Sequence, residues 1–275
     1  MKSILFSLSF SIFIGCSRTD LAFHYADTFI AYEIKDQFDF GGTVVDDIST
    51  QFVTDVRKEF LPKLTTEMQK VQIEFDQMQS EQSPQKKWSE WILKKTYDFR
   101  NLGYQSILLL DRQSAAFSKL MKVKNWEEFK KNFEKKNKKL EKEKPESRLN
   151  KTLDDFLGSL TKEQEKQIEE FLKKYPTDPT DRAINRRATL SQFEVKMTQF
   201  SPENFQKAAS DFLQDPQNYG DLAVQEKMKA RVAALSETLG FVLQSLTPDQ
   251  TKKLKKTWNK YLTEFSEIHQ KAVKP

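Results

Sequence analysis

Apolar side chains recur along this chain at steps of three and four, seldom in strict alternation, and that spacing predicts helix almost throughout. The clearest run is Ile48, Phe52, Val56, Phe60, Leu64, Met68, Val71, Phe75 and Met78, which keeps one face across Pro62 without a phase jump. It predicts one long helix kinked at Pro62 rather than two helices, because an interior proline removes one hydrogen bond and bends the axis. A second run (Val224, Met228, Val232, Leu235, Leu239, Val242, Leu246) and a third (Leu254, Trp258, Leu262, Phe265, Ile268) predict an antiparallel hairpin turning at Leu246-Thr247-Pro248. An earlier segment, about Asp20 to Phe38, carries Leu21, Phe23, Tyr25, Phe29, Ile30, Tyr32 and Ile34 round most of its circumference. Such a helix is expected to be covered on all sides, as a central core element or as one partly facing lipid or a partner.

Turn formers gather at Phe40-Gly41-Gly42-Thr43, Gln82-Ser83-Pro84, Lys144-Pro145-Glu146, Tyr175 to Pro179 and Asp215 to Gly220. None of these breaks is long enough to act as a flexible linker. The predicted fold is therefore all-α: an elongated multi-helix bundle of antiparallel helices with one long, Pro-kinked member. Residues 16–275 are read as a single helical domain, with sub-halves 16–176 and 177–275 as the other division.

Composition supports a real core: 22 Phe, 7 Tyr and 4 Trp stand in 275 residues, although 31% of the chain is charged. A formal net charge of +5 is too small to argue for a nucleic-acid partner. The first fifteen residues read as a processed leader, with Lys2 as a short positive start and an apolar stretch from Ile4 to Ile14. That stretch is well short of the roughly 20 residues a membrane-spanning helix needs. Cys16 is the only cysteine, so disulfide chemistry is not expected.

Phe13-Ile14-Gly15-Cys16 resembles the bacterial lipobox. The resemblance implies cleavage between Gly15 and Cys16, with diacylglycerol on the Cys16 sulfur and an acyl chain such as palmitate on its amine. At about 0.8 kcal/mol per buried methylene, several chains hold a protein on a bilayer. Ser17 in the next position resembles the sorting pattern for the outer membrane of a Gram-negative envelope, and only Ser17 to Thr19 separate Cys16 from the first predicted helix. A folded domain is then expected against the membrane surface.

A short motif recurs at helix starts: Leu160-Thr161-Lys162-Glu163-Gln164, Leu246-Thr247-Pro248-Asp249-Gln250 and the looser Phe200-Ser201-Pro202-Glu203-Asn204. Thr161, Ser201 and Thr247 are expected as N-caps, and Gln164 and Gln250 three residues later as closers of capping boxes. Proline at the first helical position and an acid at the second suit the unpaired amides and positive dipole end. Phe200 with Phe205 adds a hydrophobic staple in the third copy. Helix capping alone accounts for the motif, at about 1 kcal/mol for each cap.

Paired Leu-Thr-x-x-Gln motifs in a helical envelope protein resemble the periplasmic stress chaperones of the Spy and CpxP type. The chain also resembles a family of bacterial lipoproteins classed as a domain of unknown function. Gly15-Cys16-Ser17-Arg18 running into Tyr25-Ala26-Asp27, Arg57-Lys58-Glu59-Phe60-Leu61-Pro62 and the two Leu-Thr-x-x-Gln copies carry that likeness. Leu109-Leu110-Asp111-Arg112-Gln113 is a degenerate fourth site where a further cap is expected. The resemblance implies a fold class and a location, but no reaction.

Catalytic sets are tested by elimination. His24 and His269 are the only histidines, which argues against a hydrolytic triad or a multi-histidine metal site. His24, within the apolar first helix, is expected as a packing residue. The seven glycines form no phosphate-cradling loop and no dinucleotide fingerprint. Neighbouring acids at Asp46-Asp47, Glu127-Glu128, Asp154-Asp155 and Glu169-Glu170 point about 100 degrees apart on a helix and read as solvated faces. Glu146-Ser147 is similar to the acid-serine pair of helical lytic transglycosylases, yet the Gly-Leu-Met-Gln segment of those enzymes is absent.

Between Lys122 and Lys144, ten lysines face five glutamates. Trp126, Phe129, Phe133 and Leu140 form an apolar stripe there, while Lys130, Lys131, Lys135, Lys136, Lys138, Lys139 and Lys142 occupy the remaining faces. This is either a salt-bridge-laced surface helix or a docking face for anionic headgroups, wall polymers or an acidic protein. The sequence as a whole leads us to expect a membrane-anchored, non-enzymatic lipoprotein of the outer membrane, facing the periplasm. An inner-membrane or cell-surface position is the second placement. Its role is expected to be binding, chaperoning or scaffolding with an envelope protein or anionic polymer, needing no cofactor or metal. The alternative is a cell-wall-active enzyme using a carboxylate.

Overall fold

The computed structural model describes residues 25–143 and 149–273, and among them every regular element is helical. The chain is all-α, as its apolar spacing predicts. Helices α1 (Ala26–Phe38) and α2 (Val44–Asp55) lead into a π turn (Val56–Phe60), which continues directly as α3 (Leu61–Ser80). Then follow α4 (Gln85–Leu108), α5 (Asp111–Leu120), α6 (Val123–Glu141), α7 (Leu149–Leu157), α8 (Lys162–Lys174) and α9 (Pro179–Met197). The last are α10 (Pro202–Gln214), a 3-10 turn (Pro216–Asn218), α11 (Leu222–Gln244) and α12 (Pro248–Val273).

Residues 44–80 form the single long helix expected through Pro62, and the π turn is how it tolerates that proline. Pro62 has no N–H, and its ring crowds the carbonyl four residues back. In response the Leu61 N–H donates to the Val56 carbonyl, one residue further back than in an α-helix. The Arg57 carbonyl thereby loses Leu61 as donor, and Pro62 has none to offer. Nδ1 of His269 on α12 fills the position, 3.0 Å from that carbonyl. A carbonyl only accepts, so Nδ1 carries the hydrogen.

Packing divides between an aromatic cluster and a set of long helices. Phe38 of α1 stacks on Phe129 of α6 at 4.5 Å, Trp126 stacks on Phe129 at 5.2 Å, and Phe193 of α9 and Phe205 of α10 close round Trp126. Offset and edge-on contacts of this kind each contribute about 0.5–1.5 kcal/mol beyond area burial. The cluster draws on residues from both sides of the 176–179 turn. Elsewhere α4 and α11 run antiparallel in close contact, since Gln85 reaches the Glu237 carbonyl and Gly240 faces Ser89. A Cβ at position 240 would stand 2.9 Å from the Ser89 backbone nitrogen, so glycine is what permits this approach.

Two expectations need correction. The hairpin of the second and third apolar runs does not form: α11 packs on α4, α12 packs on α3, α7 and the π turn, and the two touch little beyond their shared turn. The α12 stripe packs largely on α3 and the π turn, while the Met228 side of the α11 stripe is left facing the space between the two helices. Nor is the first helix covered all round. It buries Ala26, Ala31 and Phe38, while Tyr25, Phe29 and Tyr32 lie on the outward face, 56%, 51% and 64% exposed. Positions 25, 29 and 32 repeat at helical spacing opposite the packed side, so α2 and α6 cover only one stripe.

Candidate functional site

The space enclosed by α3, α4, α11 and α12 is an open-sided cavity of about 850 Å³, within the size range of ligand sites. Its wall is built from the apolar runs that mark these helices in the sequence. Leu64, Met68, Val71 and Phe75 come from α3, while Ile92, Phe99 and Leu102 come from α4. Met228, Val232 and Leu243 come from α11, and Leu254, Trp258 and Phe265 from α12. Met228 sits at the rim and is 52% exposed, although its spacing marks it as core. Its stripe faces the cavity instead of another helix.

Polar groups on this wall are mostly tied to each other. Lys95, whose side chain is 8% exposed, lies 3.0 Å from Glu67 and 3.1 Å from Glu74 across the α3–α4 interface. Burial pushes the Lys95 ammonium down, but its hydrogen bonds to both glutamates outweigh this and raise it above the usual lysine value. Burial likewise pushes Glu67 up, and hydrogen bonds and charge from Lys95 and Lys70 more than reverse it. Trp91 Nε1 donates to Glu74 at 2.5 Å and Trp258 Nε1 donates to the Met68 carbonyl at 3.1 Å. Sequence spacing offers a signal for this network: Trp88, Ile92, Lys95, Phe99 and Leu102 are in one register, which places a lysine on a core-facing stripe.

The cap residues form the second notable arrangement. Thr161 and Thr247 each accept the backbone N–H of their glutamine, at 3.3 and 3.2 Å, and each glutamine returns a bond to the threonine N–H at 3.0 Å. Both capping boxes are thus present, as is the Ser201 cap on Asn204 at 3.1 Å and the Phe200–Phe205 staple. Capping does not exhaust the motif. Gln164 and Gln250 are 0% and 3% exposed and bond to each other, Nε2 to Oε1 in both directions, at 3.2 and 2.8 Å. Their remaining donors reach the Ser245 and Ser159 carbonyls. The two copies therefore lock the start of α8 to the start of α12.

The lysine helix α6 is laced on one side and open on the other. Lys130 pairs with Glu127 at 2.8 Å and Lys131 with Glu128 at 3.3 Å, while Lys136 reaches Glu33 of α1 at 3.2 Å. Lys135, Lys138, Lys139 and Lys142 are exposed and make no ion pair within 4.0 Å among the described residues. Arg187 of α9 clamps α6 by bonding Glu134 and Glu141. Those bonds hold both glutamates below the ordinary carboxylate range. Asp46 likewise pairs with Lys35 at 2.7 Å, in keeping with a solvated acidic face. Gly15, Cys16, His24 and Glu146 lie outside the described residues.

Among the described residues, no helix is long and apolar enough to cross a membrane, and no group of three or more His, Cys, Asp or Glu side chains is placed to hold a metal ion. No curated protein and no solved structure matches the chain. The family model that does match covers residues 47–221, more than half of the chain and including the π turn, the Lys95 network and the first Leu-Thr-x-x-Gln copy. The chain thus belongs to the Family of unknown function (DUF6279).

Proposed function

We propose that this protein is a non-enzymatic binding module of the cell envelope, anchored through a lipidated Cys16 on the periplasmic face of the outer membrane. The observation that carries the binding role is the apolar cavity of about 850 Å³ between α3, α4, α11 and α12. A soluble domain ordinarily fills such a volume with its own side chains, because interiors pack to crystal density. Here the stripe on α11 is left facing open space, and a hydrophobic ligand would complete it.

Two surface features support the membrane side of this reading. Phe29 and Tyr32 are exposed on α1, the described helix nearest the lipobox-like segment. The adjoining α6 adds unpaired lysines that favour anionic headgroups. The chaperone-like variant suggested by the Leu-Thr-x-x-Gln motifs uses the same cavity for an apolar segment of an unfolded client.

The binding role is tested with a neutral naphthylamine dye that fluoresces on entering an apolar site. Saturable binding is expected, together with its loss when Val232→Trp fills the wall from α11. Dye uptake that is unchanged in the filled variant would refute the cavity as the site. The anchor is tested separately by mass spectrometry of the N-terminal peptide from envelopes, which should carry acyl chains on Cys16 and lack residues 1–15.

A further inference from the structure

The cavity has one charged wall residue whose partner is missing. Arg100 extends from α4 over the ring of Tyr97 at 4.5 Å and towards that of Tyr104 at 6.0 Å, and all three line the cavity. Its Nε is buried without a hydrogen-bond partner, and the guanidinium has no carboxylate within 4.0 Å among the described residues. The contrast with Lys95 is direct, since that cation on the same helix is held by Glu67 and Glu74. Asp215, whose charge reaches the Tyr104 phenol, takes a hydrogen bond from Asn218 on Oδ2, and its Oδ1 is buried without a partner and makes no ion pair with Arg100 within 4.0 Å. A half-buried guanidinium without an anion is costly, and a cation–π contact offsets only part of that cost.

The wall runs along α4 from Trp91 to Tyr104, roughly 20 Å at 1.5 Å per residue. Because α4 and α11 are antiparallel, the Tyr104 end meets the start of α11, and there Asn185, Gln217, Asn218 and Gln225 make the rim polar. The Trp91 end is closed by Phe75, Leu243 and Leu254. The cavity is therefore a slot, apolar at depth, and among the described residues Arg100 is the wall cation without an ion pair, near its polar end.

We infer that the occupant is a long-chain fatty acid, its hydrocarbon lying along α4 and its carboxylate paired with Arg100. A planar guanidinium matches a carboxylate through two parallel N–H bonds. This rests on the cavity being a hydrophobic binding site and adds the class of ligand. It is also distinct from attraction to the α6 lysines, which lie on another helix and act as diffuse surface charge.

The test uses the full chain in isolated envelopes, labelled in turn with a photoreactive palmitic acid and with the corresponding photoreactive alcohol, and mapped by peptide mass spectrometry. The acid should label α4 and α11 wall peptides at concentrations about tenfold or more below those the alcohol requires. Arg100→Gln should remove that preference, with the alcohol still crosslinking to the same wall peptides as evidence that the cavity is intact, and Arg100→Lys should restore part of it. Equal labelling by acid and alcohol, or a preference that survives Arg100→Gln, overturns the inference while leaving the cavity a hydrophobic site. Labelling of neither at the wall, or crosslinks only to residues 16–24 of the chain itself, overturns the binding role as well.

Discussion

Gln164 and Gln250 form a reciprocal pair of side-chain amides, each donating Nε2 to the other's Oε1 at 3.2 and 2.8 Å. Each also caps its own helix, so one side chain serves a local and a long-range bond at once. Gln164→Leu leaves Gln250 buried with unmet hydrogen-bonding groups and opens one capping box. A loss of about 2–4 kcal/mol is expected in urea unfolding. Gln164→Leu with Gln250→Leu should cost clearly less than the sum of the two single changes, because the second removes groups already stranded by the first. Additive losses would show that the glutamines act as separate caps.

His269 and Pro62 are coupled through the Arg57 carbonyl. His269→Leu withdraws the donor from that carbonyl and should cost about 1–3 kcal/mol. In a Pro62→Ala background the restored amide at position 62 offers a backbone donor, so the same change should cost less. An equal cost in both backgrounds, measured by thermal unfolding, would separate the histidine from the π turn.

Gly240→Ala sets two effects against each other. Alanine favours helix by up to about 1 kcal/mol. The added Cβ would lie 2.9 Å from the Ser89 backbone nitrogen, an atom that cannot swing aside. Overpacking of this kind costs about 1–3 kcal/mol, so packing should win and the variant should be less stable. A stabilised variant would contradict the close α4–α11 approach.

The Arg187 clamp gives the α6–α9 contact a pH dependence of defined sign. Hydrogen bonds from Arg187 depress the carboxyls of Glu134 and Glu141 in the folded chain. Groups depressed on folding contribute stability above their unfolded value, about 4.3 for glutamate, and lose it as pH falls through the folded value. Stability measured from pH 6 downwards should fall more steeply for the parent chain than for Glu134→Gln. Both glutamates are solvent-accessible, so the difference should be small and should shrink in high salt. Parallel profiles would contradict the clamp.

The legible part of this molecule was local. The long helix through Pro62, the caps at Thr161, Ser201 and Thr247 and the apolar stripe of α6 follow from spacing and from which amides a helix start leaves unpaired. Partner choice was not legible. The stripes of α11 and α12 carry the same apolar pattern whether they face each other, a third helix or a cavity, and the Met228 side is open for that reason. The outward face of α1 shows the same limit: Phe29 and Tyr32 count as core by hydropathy and lie at the surface in the fold. Spacing marks Lys95 as core-facing but not that Glu67 and Glu74 meet it, and the pairing of the two glutamines likewise depends on what stands opposite each cap.

The most direct test of the central claim uses the cavity's own tryptophans. Trp91 and Trp258 line the wall, whereas Trp126 lies in the aromatic cluster. Titration of the chain with a brominated long-chain alcohol should quench fluorescence saturably, and Trp91→Phe with Trp258→Phe should remove most of that quenching while Trp126→Phe leaves it in place. Quenching that is absent, or that persists in the doubly substituted chain, would mean that no hydrophobic ligand enters between α3, α4, α11 and α12.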